Sequence, residues 1–288
     1  MSPNLVGALL MMASMACFVL NDTMLKLTGG NVPLFQLLFL RGALTCALIL
    51  AFRARLGGLR FDVSLRDWAI IGLRSLAEVV IAYFFLTALF NMPLANVTAV
   101  LQVVPLAVTL ASALFLREAV GWRRMIAIAV GFGGVLLIVK PGLEGFSVWS
   151  LYALVAVLGV TARDLVTRQL SKDVPSMTVT LATAAAVAAA AGLASLSAPW
   201  APVSAFNGAM IIGSAITILG AYTFSIQTMR LGDVSYIAPF RYSGLVWALL
   251  IGLLVFGEWP DTLTLLGAGI VVTTGVFTFY RERQLEDG

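Results

Sequence analysis

Ten apolar runs, each about as long as a membrane-spanning helix, occupy most of this chain. Crossing the hydrocarbon core of a bilayer takes roughly 20 apolar residues in a helix. Lipid offers no hydrogen-bond partners, so the backbone of each run must bond to itself, which predicts helices and not open strands. The runs cover residues 4–27, 34–52, 68–90, 93–116, 122–139, 148–169, 176–197, 206–229, 234–257 and 262–280.

The composition agrees with a protein that lies almost wholly in a membrane. Hydrophobic residues make up 60% of the 288 positions and charged residues only 11%, against roughly 25% charged residues in a soluble domain. The connections between runs are too short to hold a nucleotide-binding domain, and the net charge of +4 needs no nucleic-acid partner. With no His and only two isolated cysteines, Cys17 and Cys46, we expect no metal site, disulfide framework or cofactor.

Basic residues are divided unequally between the two membrane faces that the alternating runs create. Only Lys26 and Lys140 fall on the face opposite the termini. Cytoplasmic loops carry the excess of Lys and Arg in membrane proteins, so both termini are predicted to be cytoplasmic. The twelve basic residues on the side of the termini are Arg53, Arg55, Arg60, Arg66, Arg117, Arg123, Arg124, Arg168, Lys172, Arg230, Arg281 and Arg283.

The end of the first apolar run recurs in the sixth. Residues 21–26 (NDTMLK) and 163–168 (RDLVTR) are 142 positions apart, and each segment has an acid followed four residues later by a base. Residues 31–33 (NVP) and 173–175 (DVP) match at the same shift. Several matches at one shift indicate that the chain is an internal duplication.

The duplication constrains the topology. We predict repeats at 4–141 and 147–281, each with five spans. Because five is odd, the second repeat must be inverted relative to the first, as in secondary transporters whose substrate site lies near mid-membrane between the repeats. The predicted fold is therefore all-α, with ten transmembrane helices arranged as two inverted five-helix repeats around a central cavity.

A second set of matches carries a family resemblance. Residues 116–118 (LRE) and 256–258 (FGE) each close the fourth run of a repeat, 140 positions apart, and a glycine-bearing fifth run follows each. This pattern resembles the EamA-type domain, and two such domains resemble the drug/metabolite transporter superfamily. By general similarity the chain is most like the YddG-type exporters of aromatic and other neutral amino acids. The resemblance implies a secondary transporter in a bacterial inner membrane.

Charged residues inside the apolar runs are candidates for function, because a charge near the bilayer centre costs at least about 2.5–3.5 kcal/mol and usually faces a cavity or a partner. Arg74 and Glu78 are four residues apart and are predicted to pair within their helix. Leaving out charges within two residues of the end of a run, the set is Asp22, Arg41, Arg74, Glu78, Arg163, Asp164 and Arg241.

The remaining embedded charges form two groups at different depths. Asp22 and Arg41 fall in the outer third of adjacent helices and could pair, whereas Arg163, Asp164 and Arg241 fall in the inner third. Under an inverted duplication, Asp22 and Asp164 are pseudo-equivalent, one near each face. Gates at the two ends of a transport path and static locks at two helix ends both fit this placement.

Uncharged polar residues mark further candidates. In the fourth run, five residues spaced 4, 3, 4 and 3 form one helical face: Thr98, Gln102, Pro105, Thr109 and Ser112. Such stripes also bind helices to one another, but Gln102 is larger than close packing needs and is interpreted as cavity lining. In the ninth run, packing and cavity lining both fit an aromatic row beside Arg241, formed by Tyr236, Phe240, Ser243 and Trp247. Tyr83, Tyr222 and Gln227 complete the candidates.

The leading hypothesis is a secondary transporter that exports small metabolites, most of all amino acids, by alternating access. Arg241 would hold a carboxylate, Gln102 and Gln227 would bond to an amino-acid backbone, and the aromatic residues would pack a side chain. The expected partners are a small-molecule substrate and the lipid bilayer. A monomer is expected, and an oligomer stays open.

Three alternatives are weighed against this hypothesis. An exporter of other metabolites or drugs needs no different architecture. A nucleotide-sugar or triose-phosphate carrier needs several basic groups for phosphate, and four partly paired arginines are few. An intramembrane enzyme needs a nucleophile with a base, paired acids or a metal at one depth, and the embedded residues include no Lys or His, so no enzyme is predicted.

The orientation is testable with single cysteines in intact cells. A cysteine at Gly30 should react with an impermeant thiol reagent, because the 29–32 turn is predicted to be external, and a cysteine at Gln284 should not. Labelling at Gln284 without labelling at Gly30 would reverse the assignment.

Overall fold

All regular structure is helical in the residues that the computed structural model describes, which are 3–56, 58–115, 117, 120–142, 146–171, 173–197, 199–231 and 237–286. The elements are α1 (Pro3–Leu27), α2 (Leu34–Ala51), α3 (Leu65–Asn91), α4 (Leu94–Leu101), α5 (Val104–Phe115), α6 (Trp122–Val139), α7 (Val148–Thr167), α8 (Ser176–Ser195), α9 (Ala205–Leu231), a 3-10 helix (Ala238–Tyr242), α10 (Ser243–Phe256) and α11 (Thr262–Glu286).

These helices make ten spans that are long and apolar enough to cross a membrane. α4 and α5 together form the fourth span, Leu94–Phe115, and the 3-10 helix with α10 forms the ninth, Ala238–Phe256. The prediction of an all-α membrane protein with ten transmembrane helices is confirmed.

Both broken spans are interrupted at a proline. Pro105 has no backbone N–H to donate to the carbonyl of Leu101, and α4 ends there. Val103 instead donates to Val100 O at 3.2 Å, a tighter turn, before α5 begins. In the ninth span Pro239 lies within the 3-10 helix. The fourth run was expected to be one continuous helix, and the structure corrects this.

Contacts between spans repeat when the two halves are exchanged. α1 packs on α9 as α7 packs on α3, α2 contacts α9 as α8 contacts α3, and α1 meets α10 as α7 meets α5. Three further pairs join corresponding spans of the two halves: α2 with α8, α4 with α10, and α6 with α11. This pattern supports an inverted duplication, whose boundaries at 141 and 147 stay a prediction.

Glycines allow α6 and α11 to pack closely. A Cβ on Gly134 would lie 2.8 Å from the carbonyl oxygen of Gly267, and a Cβ on Gly267 would collide with the carbonyl oxygen of Gly134. Small residues let membrane helices approach this closely. The absence of side chains at these two positions therefore lets the fifth and tenth spans pack backbone against backbone.

Lys140 and Asp261 join the ends of α6 and α11 by an ion pair. Partial burial raises the pKa of the Asp261 carboxyl, but hydrogen bonds from Lys140 and from Thr264 outweigh this and lower its pKa to about 2. Asp261 Oδ1 also accepts from the backbone N–H groups of Leu263 and Thr264 at 3.0 and 3.1 Å. The carboxylate thus caps the start of α11 and holds the two helices together.

Candidate functional site: a polar cavity between the two halves

A cavity of about 360 Å³ lies between the two halves of the described chain. Residues of α1, α2, α3, α4 and α5 line it together with residues of α7, α9, the 3-10 helix and α10. Its polar lining comprises Asn21, Asp22, Arg41, Arg74, Glu78, Thr98, Gln102, Arg163, Tyr222, Ser225 and Arg241.

The first polar group is the Asn21 cluster, formed by Asn21, Asp22 and Arg41. Asn21 Nδ2 donates to Asp22 Oδ1 at 2.9 Å, and Arg41 Nη1 donates to Asn21 Oδ1 at 3.4 Å. Asp22 and Arg41, which were predicted to pair across α1 and α2, are therefore linked through an amide and not by a direct ion pair. Arg41 Nε is buried without a hydrogen-bond partner among the described residues.

The second polar group is the Arg163 cluster, formed by Glu78, Arg163 and Asp164. Arg163 Nη1 donates to Glu78 Oε2 at 2.9 Å. Its Nε and Nη2 donate to Asp164 Oδ1 at 3.0 and 2.8 Å. One guanidinium thus satisfies two carboxylates and ties α3 to α7.

Arg74 does not pair with Glu78, the partner predicted for it within α3. Its Nε donates to Thr167 Oγ1 at 3.1 Å, and its Nη1 donates to Thr183 Oγ1. The carboxylate of Glu78 points to Arg163 on α7 instead. The prediction was wrong because four-residue spacing allows a pair within one helix but does not exclude a stronger partner on a neighbouring helix.

The two charged clusters are not separated at opposite ends of the protein. Asp22 and Arg41 line the same cavity as Glu78 and Arg163. A smaller crevice of about 40 Å³ shares Arg41, Arg74, Glu78 and Tyr222 with the cavity and extends towards α8. One cavity therefore connects the two groups, and their placement at different depths in the membrane stays a prediction. Asp164 is not in the cavity lining but contacts it through Arg163.

The two helix interruptions bring Gln102 and Arg241 to the cavity. Gln102 follows the last residue of α4, and its Nε2 lies 3.5 Å from Tyr242 O in the 3-10 helix. Arg241 belongs to that 3-10 helix and lines the cavity. Its guanidinium makes no hydrogen bond or ion pair to another residue in the described part of the chain. Both residues lie where the sequence placed them, and their roles as substrate contacts stay predictions.

One wall of the cavity is apolar and aromatic. α1 contributes Met11, Met15 and Phe18, and α3 contributes Phe85. Phe18 meets Tyr222 of α9 edge-on, with ring centroids 5.6 Å apart. This wall supplies a surface for an apolar or aromatic part of a ligand next to the charged groups.

This apolar wall was not predicted from the sequence, although the spacing of its residues gives a signal for it. Met11, Met15, Phe18 and Asp22 are spaced 4, 3 and 4, the spacing that identified Gln102 in the fourth run. An apolar stripe at this spacing is ordinary packing in most helices. Asp22 at the end of the stripe is what distinguishes a face turned towards a cavity.

Three other predicted contacts lie elsewhere, and a fourth is not described. Tyr83 is 38% exposed and stacks on Phe35 with ring centroids 6.0 Å apart, on the outside of α3. Trp247 donates from Nε1 to Met12 O at 3.2 Å and packs against the core. Gln227 is exposed, and Tyr236 lies outside the described residues.

The polar stripe of the fourth run divides at the helix break. Thr98, Gln102 and Pro105 line the cavity. Thr109 bonds back to Pro105 O at 2.9 Å, and Ser112 accepts from Arg168 Nη1 at 2.9 Å. The first three residues of the stripe therefore face the cavity, Thr109 bonds within α5, and Ser112 joins α5 to the end of α7.

A third polar group, the Lys26 latch, joins the end of α1 to the ends of α10 and α3 and the start of α4. Lys26 Nζ lies 3.0 and 3.2 Å from the two carboxylate oxygens of Glu258 and donates to Met92 O at 2.6 Å. Glu258 Oε2 also accepts from the backbone N–H of Leu94 at 3.0 Å. α4 has no capping hydrogen bond from its own N-cap side chain, so Glu258 of the second half caps a helix of the first.

The predicted duplication gives the Lys26 latch a counterpart, and only part of that counterpart lies in the described residues. Arg168 corresponds to Lys26 and donates to Ser112. Glu118 corresponds to Glu258 and lies outside the described residues. Sequence comparison identified both glutamates as repeat-equivalent but gave no partner for either.

Comparison with known proteins identifies relatives along most of the chain. Residues 5–140 match the EamA-like transporter family. An S-adenosylmethionine uptake transporter of Rickettsia conorii is 28% identical over 271 residues, which cover 92% of this chain and 89% of the relative. A riboflavin transporter of Vibrio cholerae is 26% identical over 276 residues, covering 95% of this chain and 92% of the relative.

A pseudopaline exporter of Pseudomonas aeruginosa is 24% identical over 282 residues, covering 92% of this chain and 93% of the relative. A solved crystal structure is 21% identical to this chain and aligns with it at a TM-score of 0.67, covering 97% of this chain and 98% of that structure's chain. The two proteins therefore share a fold. Together these findings show that the chain is similar to EamA-like transporters over residues 5–140 and, along most of its length, to transporters of several small metabolites. The three named relatives are not amino-acid exporters, so they do not support the narrower YddG-type resemblance.

Proposed function

We propose that this EamA-type protein is a secondary transporter of small zwitterionic metabolites, namely amino acids and their derivatives, which cross through the cavity by alternating access. The observation that carries the proposal is the presence of opposite charges without direct ion partners in one cavity. The carboxylate of Asp22 accepts a hydrogen bond from a neutral amide, and the guanidinium of Arg241 faces the same space.

A zwitterion supplies what these two side chains lack. The substrate carboxylate would accept hydrogen bonds from Arg241 and Gln102, and its ammonium would donate to Asp22. Charge-assisted hydrogen bonds of this kind are about twice as strong as neutral ones. They also replace part of the hydration that a charged substrate loses on entering the membrane.

The remaining cavity wall suits a side chain. Met11, Met15, Phe18 and Phe85 form an apolar surface beside the charges, and a volume of about 360 Å³ lies within the roughly 300–1,000 Å³ of ordinary ligand sites. An amino acid with an apolar or aromatic side chain fits this division into a charged and an apolar part.

In this proposal, the energy source determines the direction of transport. The described chain offers the substrate a cavity and no separate energy-converting domain, so we propose movement down the substrate's own gradient. For a metabolite made in the cell, that movement is export. Relatives named for uptake and relatives named for export both occur, so likeness alone does not assign a direction.

A carrier of sugar nucleotides or triose phosphates is a weaker candidate. Four arginines line the cavity, but Arg163 is committed to Glu78 and Asp164. Arg74 is bonded to two threonines. Asp22 and Glu78 add negative charge to the same space, which disfavours a multiply charged phosphate.

Substrate contacts can be tested in proteoliposomes with a panel of labelled amino acids. We expect Arg241→Gln to lower kcat/KM about 10- to 100-fold, because a hydrogen bond to a charged group contributes about 1.5–3 kcal/mol. Gln102→Ala should lower it about 5- to 10-fold. Gln227→Ala is the matched control and should leave transport unchanged, since Gln227 is exposed.

Two results would contradict this assignment. Unchanged rate and apparent affinity in both Arg241→Gln and Gln102→Ala would show that the cavity is not the substrate site. Failure of the wild-type protein to bind or move any member of the panel would reject amino acids as its substrates.

Alternating access requires the external end of the bundle to open, and the Lys26 latch joins four helices there. We expect Lys26→Met to leave Glu258 without its cation and to raise labelling of a cysteine at Thr98 from the external side about tenfold, which corresponds to about 1.4 kcal/mol. Lys140→Met is the control, because it breaks the Lys140–Asp261 pair between α6 and α11 without touching the cavity. Equal labelling in both variants would show that the latch only caps a helix and does not control access to the cavity.

A further inference from the structure

We infer that Asn21 is a positioning residue whose amide holds Asp22 and Arg41 apart. Asp22 then stays available to the ammonium of a zwitterionic substrate, and Arg41 adds a second cation to Arg241 for its carboxylate. This inference rests on the proposed function and deepens it. Under this inference, the cavity selects substrates that carry both a cationic and an anionic group.

The geometry places Asn21 between the two charges. Its Nδ2 donates to Asp22 Oδ1 at 2.9 Å, and its Oδ1 accepts from Arg41 Nη1 at 3.4 Å. Asn21 is only 3% exposed, so protein atoms hold the amide in place. Among the ion pairs of the described residues, Asp22 and Arg41 do not pair with each other, although both face the cavity.

An amide is suited to this position because it carries a donor and an acceptor on one planar group. Its N–H₂ complements a carboxylate, and its oxygen complements a guanidinium. A carboxylate at position 21 would repel Asp22, and an apolar side chain of the same shape would bond to neither charge. Asn therefore keeps two opposite charges close to each other without letting them neutralise each other.

The separation matters because opposite charges attract strongly away from bulk water. Arg41 has a long, flexible side chain on α2, the neighbour of α1, and would close on Asp22 if nothing intervened. A substrate would then have to break that pair before it could bind. Sites whose groups are already held in the binding arrangement avoid this loss of affinity.

Of the other embedded arginines, Arg241 faces the cavity as the proposed direct substrate contact, and two are already engaged within the protein. Arg163 already satisfies Glu78 and Asp164, and Arg74 is bonded to Thr167 and Thr183. Arg41 is different, since its Nε is buried and has no hydrogen-bond partner among the described residues. It retains a donor that neither cluster uses.

The test compares Asn21→Leu with a matched control, Asn91→Leu. Asn91 is exposed, and its side chain bonds within its own helix to Thr87 O. In proteoliposomes, Asn21→Leu should raise KM for a zwitterionic amino acid at least about tenfold and leave kcat within about twofold. Inhibition by the N-acetyl and carboxamide analogues, which each lack one charge, should change less than about twofold. The control should behave as wild type.

A second readout does not depend on transport. Thermal unfolding of Asp22→Asn, Arg41→Gln and the double variant measures the coupling between the two charges, in wild type and in Asn21→Leu. We expect the non-additivity in Tm to be larger by at least about 2 °C in Asn21→Leu, because the charges then pair directly.

The outcomes separate the two proposals. Unchanged coupling in Asn21→Leu, or an unchanged KM for the zwitterion, would overturn the positioning role of Asn21. A different combination would separate the two proposals: increased coupling in Asn21→Leu, with a wild-type protein that binds and moves no amino acid. That result would support the separation of the charges by Asn21 and reject the proposed function.

Discussion

The cost of holding charge inside a membrane determines how this protein is organised around its centre. A carboxylate or guanidinium facing lipid is strongly disfavoured, so the embedded charges converge on one cavity between the halves. Arg163 joins Glu78 of α3 to Asp164 of α7 and thereby links the two repeats. The Asn21 cluster then differs from its surroundings, because its opposite charges are linked through an amide and not neutralised by each other.

The same constraint explains the broken helices. Irregular backbone at membrane depth is tolerated where it lines a cavity or is buried in protein. The fourth span breaks before Pro105 and the ninth carries Pro239 in a 3-10 helix. Both breaks meet at the cavity, where the Gln102 amide lies 3.5 Å from the backbone carbonyl oxygen of Tyr242. Charges on the first and sixth spans and helix interruptions on the fourth and ninth thus both contribute to the polar centre.

The spans and the position of Gln102 on the cavity wall could be predicted because each depends on periodicity along the chain. Partners across helices could not. Spacing indicated that Arg74 reaches Glu78, but it gave no information on the rotation of α3 against α7, which turns Glu78 towards Arg163. Tyr83 is five residues from Glu78, roughly 140° around the helix, and so faces outward. Lys26 and Glu258 are 232 residues apart, and only the packed fold brings them together.

The central claim, that one cavity is reached in turn from the two faces of the membrane, is tested most directly at Ser225, which lines the cavity. Ser225→Cys would be placed in a background in which Cys17 and Cys46 are replaced by Ala. The account predicts modification by impermeant thiol reagents in both right-side-out and inside-out vesicles, with slower modification from both sides when an amino-acid substrate is bound. Modification from one side only, unaffected by any amino acid, would contradict it.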